Sequence, residues 1–261
     1  MRRYRLILSR WLSSFALIEK SIPLTDPVAD YVLPNWNLPP GVHACVSTVT
    51  NPGNLAVHVG DDPSAVIRNR RQLGRELHLP GPIKWLQQYH GVRVVDYCGA
   101  RLGEAADAII AAQPSSVCAV LTADCLPILL AADDGSQIAA VHAGWRGLAQ
   151  GIVEQTIAQF KCSAGQLTAY IGPAISADYF EVGSDVRAAF NRDQLVDEQT
   201  FRPHINAKWH ADLPQLAQRI MSAAGVREVT LSGLCTFSDK RFSSYRQRPD
   251  CGRIATMIWK N

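Results

Sequence analysis

The sequence predicts one folded domain with strands at its centre and helices packed around them, and three observations point that way. The chain has 261 residues, 47% of them hydrophobic, enough for a large core and near the upper size for one domain. Between residues 83 and 142, five short apolar runs bounded by turn residues (IKWLQQYH, VRVVDY, VCAVLT, LPILLAA and QIAAVH) have the pattern of strands. Beyond them, helical spacings alternate with extended runs.

In chain order, Arg2, Arg3 and Arg5 precede a weakly apolar stretch, Leu6 to Leu17. Arg10 and several serines interrupt it, no small-x-small cleavage site follows, and it is too short to span a bilayer. Residues 1–31 are therefore expected to be a disordered or loosely packed extension ahead of a single domain over 32–261. Folding is expected to start within VLPNWNLPPGV (32–42), where three prolines give way to the apolar run Val42 to Val46. Asp62-Pro63 marks a helix start, with Val66, Leu73 and Leu77 at helical spacing and an arginine-rich face expected to be solvated. The five strand candidates follow, with a strand ending at His90. Leu148, Ile152, Ile157 and Phe160 share a helical face in a helix starting near Leu148, residues 167–171 read as extended, and 184–193 as helical. Leu213, Leu216, Ile220 and Met221 define a helix ending at Gly225, and IATMIW reads as a final buried strand.

Composition excludes several function classes. The 26 basic residues are scattered among 23 acidic ones, for a net charge of +3, with no basic stripe for nucleic acid. No segment resembles a transmembrane helix, so no membrane partner is expected. The seven cysteines form an odd set without a CxxC pair, which fits a reducing, cytoplasmic setting better than a disulfide framework.

The most informative local geometry surrounds Asp134-Gly135, a dipeptide favoured in two-residue hairpin loops, between the apolar runs 126–132 and 137–142. Such a loop pairs His142 with Pro127 and sets Cys125 one diagonal step away on the same face. A thiolate and an imidazole then converge within reach of one metal ion or one hydrogen bond. Nothing in local spacing brings His90 to them. VHAGWRG (141–147) runs from strand through two glycines into a helix, an arrangement suited to anions, and Arg146 could add a bidentate contact to phosphate. The same glycines could merely permit a tight turn. Asp124 neighbours Cys125 but points to the opposite face by strand alternation, so a hydrogen-bonding structural role is the better expectation.

The strings LTADCLP (121–127) and HAGWRG (142–147), following His90, resemble the YfiH family, also described as peptidoglycan editing factor PgeF, as a purine nucleoside phosphorylase and, under an older label, as a copper polyphenol oxidase. HVGDDP (58–63) before NRRQL, IGPAISADYFEVG (171–183), SSYR (243–246) and GRIATMIW (252–259) extend the resemblance from about residue 34 to the end. It implies an α+β fold, a four-layer α/β/β/α sandwich with two mixed sheets. It also implies that His90, Cys125 and His142 bind one zinc, or copper in some preparations, and form the catalytic centre with an open position for water or substrate.

The implied reaction is phosphorolysis of adenosine, inosine or methylthioadenosine to base and ribose 1-phosphate, with deamination of adenosine. Purine nucleoside and phosphate would be its partners, in a monomer or homodimer. Tyr245 and Arg246 match a family segment where an aromatic and a cation could flank a purine or its phosphate. Asn54 and Leu55 are what remains of a family SLNLG segment, because STVTNPGNLA (47–56) is shorter than usual and lacks an Arg-Gly-Gly stretch, a departure that bears on substrate identity. The competing readings are a cysteine amidase that edits peptidoglycan precursors, with Cys125 as nucleophile and His142 as base; a copper oxidase, disfavoured by a single metal site; and a metal-stabilised structural module, which would usually have a fourth protein ligand.

Overall fold

The computed structural model describes residues 31–190 and 195–261. The expected extension, apart from Tyr31, and the last residues of the helix expected over 184–193 lie outside the described residues. The chain runs through β1 (Val42–Val46), α1 (Pro63–Glu76), β2 (Val94–Asp96), β3 (Ala108–Ala111), β4 (Val117–Thr122), β5 (Leu126–Ala132) and β6 (Ile138–Ala143). There follow α2 (Trp145–Gln150), α3 (Ile152–Ile157), β7 (Leu167–Ile171), β8 (Glu181–Val182) and α4 (Ser184–Ala189). The described chain ends with β9 (Phe201–Pro203), β10 (Trp209–Ala211), α5 (Leu213–Ala223), β11 (Glu228–Leu231) and β12 (Ile254–Lys260).

The fold is the expected α+β sandwich. A six-stranded mixed sheet, β11-β7-β5-β6-β3-β2, faces a smaller sheet, β1-β12-β4, whose three strands are antiparallel and which Ile83 extends by a parallel bridge to Val117. Strand alternation builds the layers. Along β5, Leu126, Ile128 and Leu130 pack with Leu148, Ile152 and Leu216 of the helices, while Leu129 and Ala131 pack with Val46, Val120 and Ile258 of the facing sheet. In β12, Ile258 joins the inter-sheet layer, and Met257 and Trp259 pack outward with Leu73 of α1. Both central strands are covered on both faces, which is why they read as continuous apolar runs rather than as alternation.

Helix boundaries follow sequence chemistry. Asp62 caps α1 by accepting from the N–H groups of Ser64 and Ala65. α5 ends at a turn where Gly225 takes a left-handed φ of 88°.

Four expectations are corrected, and one sheet is additional. Residues 83–90 form no strand beyond two isolated bridges: the Gln88 side chain takes the place of a neighbouring strand, donating to Leu121 O (2.7 Å) and accepting from Leu121 N (2.8 Å). The β5–β6 connection is a longer turn, in which Gly135 N donates to Ala132 O and Gly135 has φ 67°, although its register equals that of a two-residue loop. The helix expected near Leu148 starts at Trp145, and Gly151 at φ 95° divides it into α2 and α3. On α1, Arg68, Arg71 and Arg75 are exposed as expected but Arg70 is half-buried, since its guanidinium carbon lies 4.4 Å from the Trp85 ring centroid and its Nε donates to Leu55 O. A third small sheet, β8-β10-β9, carried no readable sequence signal, its strands being only two or three residues long.

Candidate metal centre

The β5–β6 register pairs Pro127 with His142, as the hairpin argument requires. This is a pair without ladder bonds: His142 N donates away from β5, to Asp107 O at 2.7 Å, and Pro127 O accepts from Gly172 N at 2.9 Å. The missing proline N–H therefore costs no bond between the two strands. Cys125 and His142 share the face that, further along the strands, carries Leu129, Ala131, Ile138 and Ala140 between the sheets. The pair thus sits at the open end of the inter-sheet layer.

His90 reaches the same point from outside any strand, with a left-handed φ of 64°. Its Nε2 is 3.6 Å from Cys125 Sγ, its ring meets that of His142 edge-on with centroids 4.8 Å apart, and one ligand atom from each of the three residues lies within 4.8 Å of the others. Gly144 is required by this packing, because a Cβ there would lie 2.4 Å from His90 Cδ2 and 3.2 Å from Cys125 Sγ.

Asp107, which sequence reasoning missed, holds the arrangement together. Fully buried just before β3, its carboxylate accepts from His142 Nδ1 (2.8 Å) and from the backbone N–H groups of His90 (2.9 Å) and Gly91 (2.7 Å). Burial opposes its ionisation, but these donors outweigh burial and hold the carboxyl below its ordinary range. For Cys125 as well, burial opposes ionisation and is outweighed by hydrogen bonds from His142 and His90, which bring the thiol down to about 6. His142 is raised to about 9: burial favours its neutral form, but Asp107 and Cys125 outweigh it.

The donor set fits one zinc or copper ion. It offers one thiolate and two imidazoles, His142 Nδ1 is already held by Asp107 so that Nε2 remains to ligate, and no fourth His, Cys or carboxylate joins the group among the described residues. A family model described as "Multi-copper polyphenol oxidoreductase laccase" matches residues 43–261. The chain belongs to the YfiH family. It is 40% identical over 238 residues to "Purine nucleoside phosphorylase YfiH" of Shigella flexneri, covering 87% of this chain and 98% of that protein. It is also 41% identical over 239 residues to "Purine nucleoside phosphorylase PA4543" of Pseudomonas aeruginosa, covering 88% and 98%. Among solved structures, Neisseria meningitidis NMB0706 superposes with a TM-score of 0.83 at 38% identity, over 89% of this chain and 99% of that one.

Within this YfiH-family chain the other expected site residues are spread around the centre. Asp124, at φ 81°, accepts from Thr236 Oγ1 (2.6 Å), Ser244 Oγ (3.0 Å) and Arg246 N (2.7 Å), the structural role expected of it. It thereby ties the 244–246 segment beside Cys125. Tyr245 is half exposed there, while Arg246 donates to the carbonyls of Glu181 (3.1 Å) and Tyr179 (3.4 Å) and faces the Phe180 ring at 5.3 Å. Arg146, in the first turn of α2, is exposed and lies 4.3 Å from the Trp145 ring centroid. Asn54 uses its side chain within the protein: Oδ1 accepts from Ala56 N and Arg253 N (both 2.9 Å), and Nδ2 donates to Ala56 O and Asp61 Oδ2 (both 3.0 Å). No helix among the described residues is long and apolar enough to cross a membrane.

Proposed function

We propose that this chain is a metal-dependent purine nucleoside phosphorylase that also deaminates adenosine, acting in the cytoplasm with zinc, or alternatively copper, held by His90, Cys125 and His142. The observation that carries the reading is the Asp107-braced thiolate and imidazole pair at an open end of the sandwich, in a chain about 40% identical to relatives named purine nucleoside phosphorylase. A bound zinc ion supplies Lewis acidity at the reacting centre.

The protein's own groups supply orientation and charge. Asp107 fixes the His142 tautomer, with its proton on Nδ1, and keeps Nε2 turned to the ligand position. Phosphorolysis joins a phosphate oxygen to the sugar carbon as the bond to the purine nitrogen breaks, and the proton given up by the hydrogen phosphate balances the one taken up by the departing base. Arg146, Tyr245 and Arg246 are read as contacts to sugar and base, the tyrosine face offering a stacking surface for a purine. Asn54 is read as shaping the pocket wall.

A second reading is favoured by one specific observation: Asp107, His142 and Cys125 also have the order of an orienting carboxylate, a base and a nucleophile, with the thiol brought down to about 6. In that reading metal-free protein cleaves an amide. The copper oxidase reading is weaker, because a single three-donor group lies among the described residues where four-electron oxygen chemistry uses several centres.

Metal content, followed by incubation of wild type and Cys125→Ala with adenosine in phosphate buffer, separates these readings. Adenine formation that requires phosphate, metal and Cys125 is the expected outcome. No nucleoside turnover by metal-loaded wild type, together with amide cleavage by metal-free protein, would favour the amidase.

A further inference from the structure

A cleft of about 400 Å³ lies between residues of the 49–61 loop and residues of the 243–254 segment. Ser243 lines it, and Ser244 and Arg246 hold Asp124, the residue before Cys125. One wall carries Asn54 and Asp61; the other carries Ser243, Arg248, Asp250 and Arg253. The walls are joined by Arg253 N donating to Asn54 Oδ1 (2.9 Å) and Leu55 N donating to Arg253 O (3.2 Å). Gly252 admits this approach, since a Cβ there would lie 2.8 Å from Asn54 Cβ.

The lining carries Asp61 and Asp250 against Arg248 and Arg253, so its formal charges balance, and what distinguishes the cleft is how they are paired. Asp61 is committed to its own loop, accepting from Asp62 N (2.8 Å) and Asn54 Nδ2 (3.0 Å). Asp250 is paired with Arg248 at 3.3 Å. Arg253 has no carboxylate partner among the described residues: its Nη1 donates to Cys251 O (2.5 Å) and Gly252 O (3.2 Å), while Nε and Nη2 have no protein acceptor there. Its guanidinium carbon lies 5.7 Å from the Tyr245 ring centroid. His58 lies in the same field and is held below its ordinary value by burial and then by the charges of Arg253 and Arg70. An unpaired guanidinium with two free donors, in a polar cleft larger than a lone phosphate needs, is suited to a phosphoryl group carried on a small polar molecule.

The start of α2 offers less. That helix has six residues and no side-chain cap, Arg146 lies over Trp145, and both glycines are explained by packing, since a Cβ on Gly147 would lie 2.8 Å from Gly91 O.

We propose that the Arg253 cleft is a phosphoryl subsite, taking inorganic phosphate or the phosphate of a pentose phosphate through Arg253 and, more weakly, Arg248. As the phosphate site of the reaction it rests on the phosphorylase reading above; as a binding site it does not. Metal-loaded full-length protein is titrated calorimetrically with inorganic phosphate and separately with ribose 1-phosphate, while the His58 ring resonances are followed by NMR. Arg253→Gln is expected to weaken phosphate binding by about tenfold or more, Arg253→Lys to recover part of it, and Arg248→Gln to cost a few-fold. Arg227→Gln, at the Asp133 ion pair outside the cleft lining, is expected to leave it unchanged, and phosphate to raise the His58 pKa in wild type. Tighter binding of ribose 1-phosphate than of phosphate identifies the sugar phosphate as the better ligand.

Wild-type phosphate affinity in Arg253→Gln, or loss of binding in Arg146→Gln alone, overturns the subsite; should Arg253→Gln fail to fold, wild-type affinity in Arg248→Gln together with no response of His58 to phosphate does so. Phosphate-dependent nucleoside cleavage with the wild-type KM for phosphate in Arg253→Gln does so too, while leaving the phosphorylase reading intact. Arginine-dependent phosphate binding without any nucleoside cleavage has the opposite meaning: the subsite stands and the phosphorylase reading fails.

Discussion

Two of the three candidate metal ligands are placed by a sheet, and the third by a carboxylate. Cys125 and His142 lie at the end of a hairpin whose register is repeated through six residue pairs between β5 and β6, and one slipped residue would turn both away from the site. His90 has no strand to hold it. Its backbone is in the left-handed region, and Asp107 gathers its N–H and that of Gly91. A residue with φ 64° and no ladder partner keeps its place only while that carboxylate is ionised and buried against its donors. The hairpin arm is thus robust, and the His90 arm depends on a single side chain.

The largest test of this contrast is Asp107→Ala. Removing the carboxylate leaves the N–H groups of His90 and Gly91 and the Nδ1–H of His142 without their acceptor, a loss of about 3–5 kcal/mol that lowers Tm by roughly 10 °C. Metal content is expected to fall to background. Asp107→Asn, which keeps an acceptor but adds a donor facing other donors, is expected to bind metal roughly 10–100-fold more weakly. Retention of wild-type metal affinity by both variants in a competition assay would mean that the hairpin arm alone organises the centre.

Gly144→Ala attacks the junction of the two arms. The added methyl meets the His90 ring before it reaches Cys125 Sγ, so His90 is expected to be displaced. Overpacking costs about 1–3 kcal/mol. Metal affinity falls disproportionately to stability, which thermal unfolding with and without added zinc resolves.

The pH dependence of the metal-free protein reads the junction of the two arms, because His142 on the hairpin and His90 both hydrogen-bond the Cys125 thiol. With its thiol brought down to about 6, Cys125 is expected to alkylate with a midpoint near that pH rather than near the ordinary thiol value of about 8.5, and bound metal is expected to protect it. The folded thiol titrates below its unfolded value and the folded His142 above its own. The thiolate's stabilisation is therefore lost as pH falls through about 6, and the imidazolium's as pH rises through about 9. An alkylation midpoint at the ordinary thiol value would remove the imidazole's influence on Cys125.

The same contrast explains what could be read in the sequence. The Cys125–His142 proximity followed from Asp134-Gly135 and period-2 alternation, and it held although the turn is longer, because lengthening a hairpin loop symmetrically preserves the register. His90 could be assigned only through the family resemblance, since its position depends on Asp107, 17 residues away across a loop. Asp107 itself gave no signal: a lone aspartate before AIIA looks like a strand-edge residue until its four donors, Tyr89 N among them, are in place. The four layers were legible only through the resemblance, the apolar runs giving no more than strands flanked by helices, and β8, β9 and β10 are too short to show periodicity. Asn54 reads as a substrate contact by motif, yet its side chain bonds Asp61, seven residues on, and Arg253 N, which only the fold brings to it.

The smallest effect expected distinguishes one brace on the His90 arm from two. Gln88 lies two residues before His90 and pairs its amide with both backbone groups of Leu121. Gln88→Ala removes both bonds for about 1–2 kcal/mol, a few degrees in Tm. Because Asp107 still holds the N–H of His90 itself, metal affinity is expected to fall by less than about tenfold. Asp62→Ala, which uncaps α1 on the far side of the small sheet for about 1 kcal/mol, is the matched control and is expected to leave metal affinity unchanged. If Gln88→Ala lowers Tm as Asp62→Ala does and likewise leaves metal affinity untouched, Asp107 alone fixes His90. If it approaches Asp107→Asn in metal affinity, the Gln88–Leu121 pairing is a second brace, and the small sheet takes part in holding the centre.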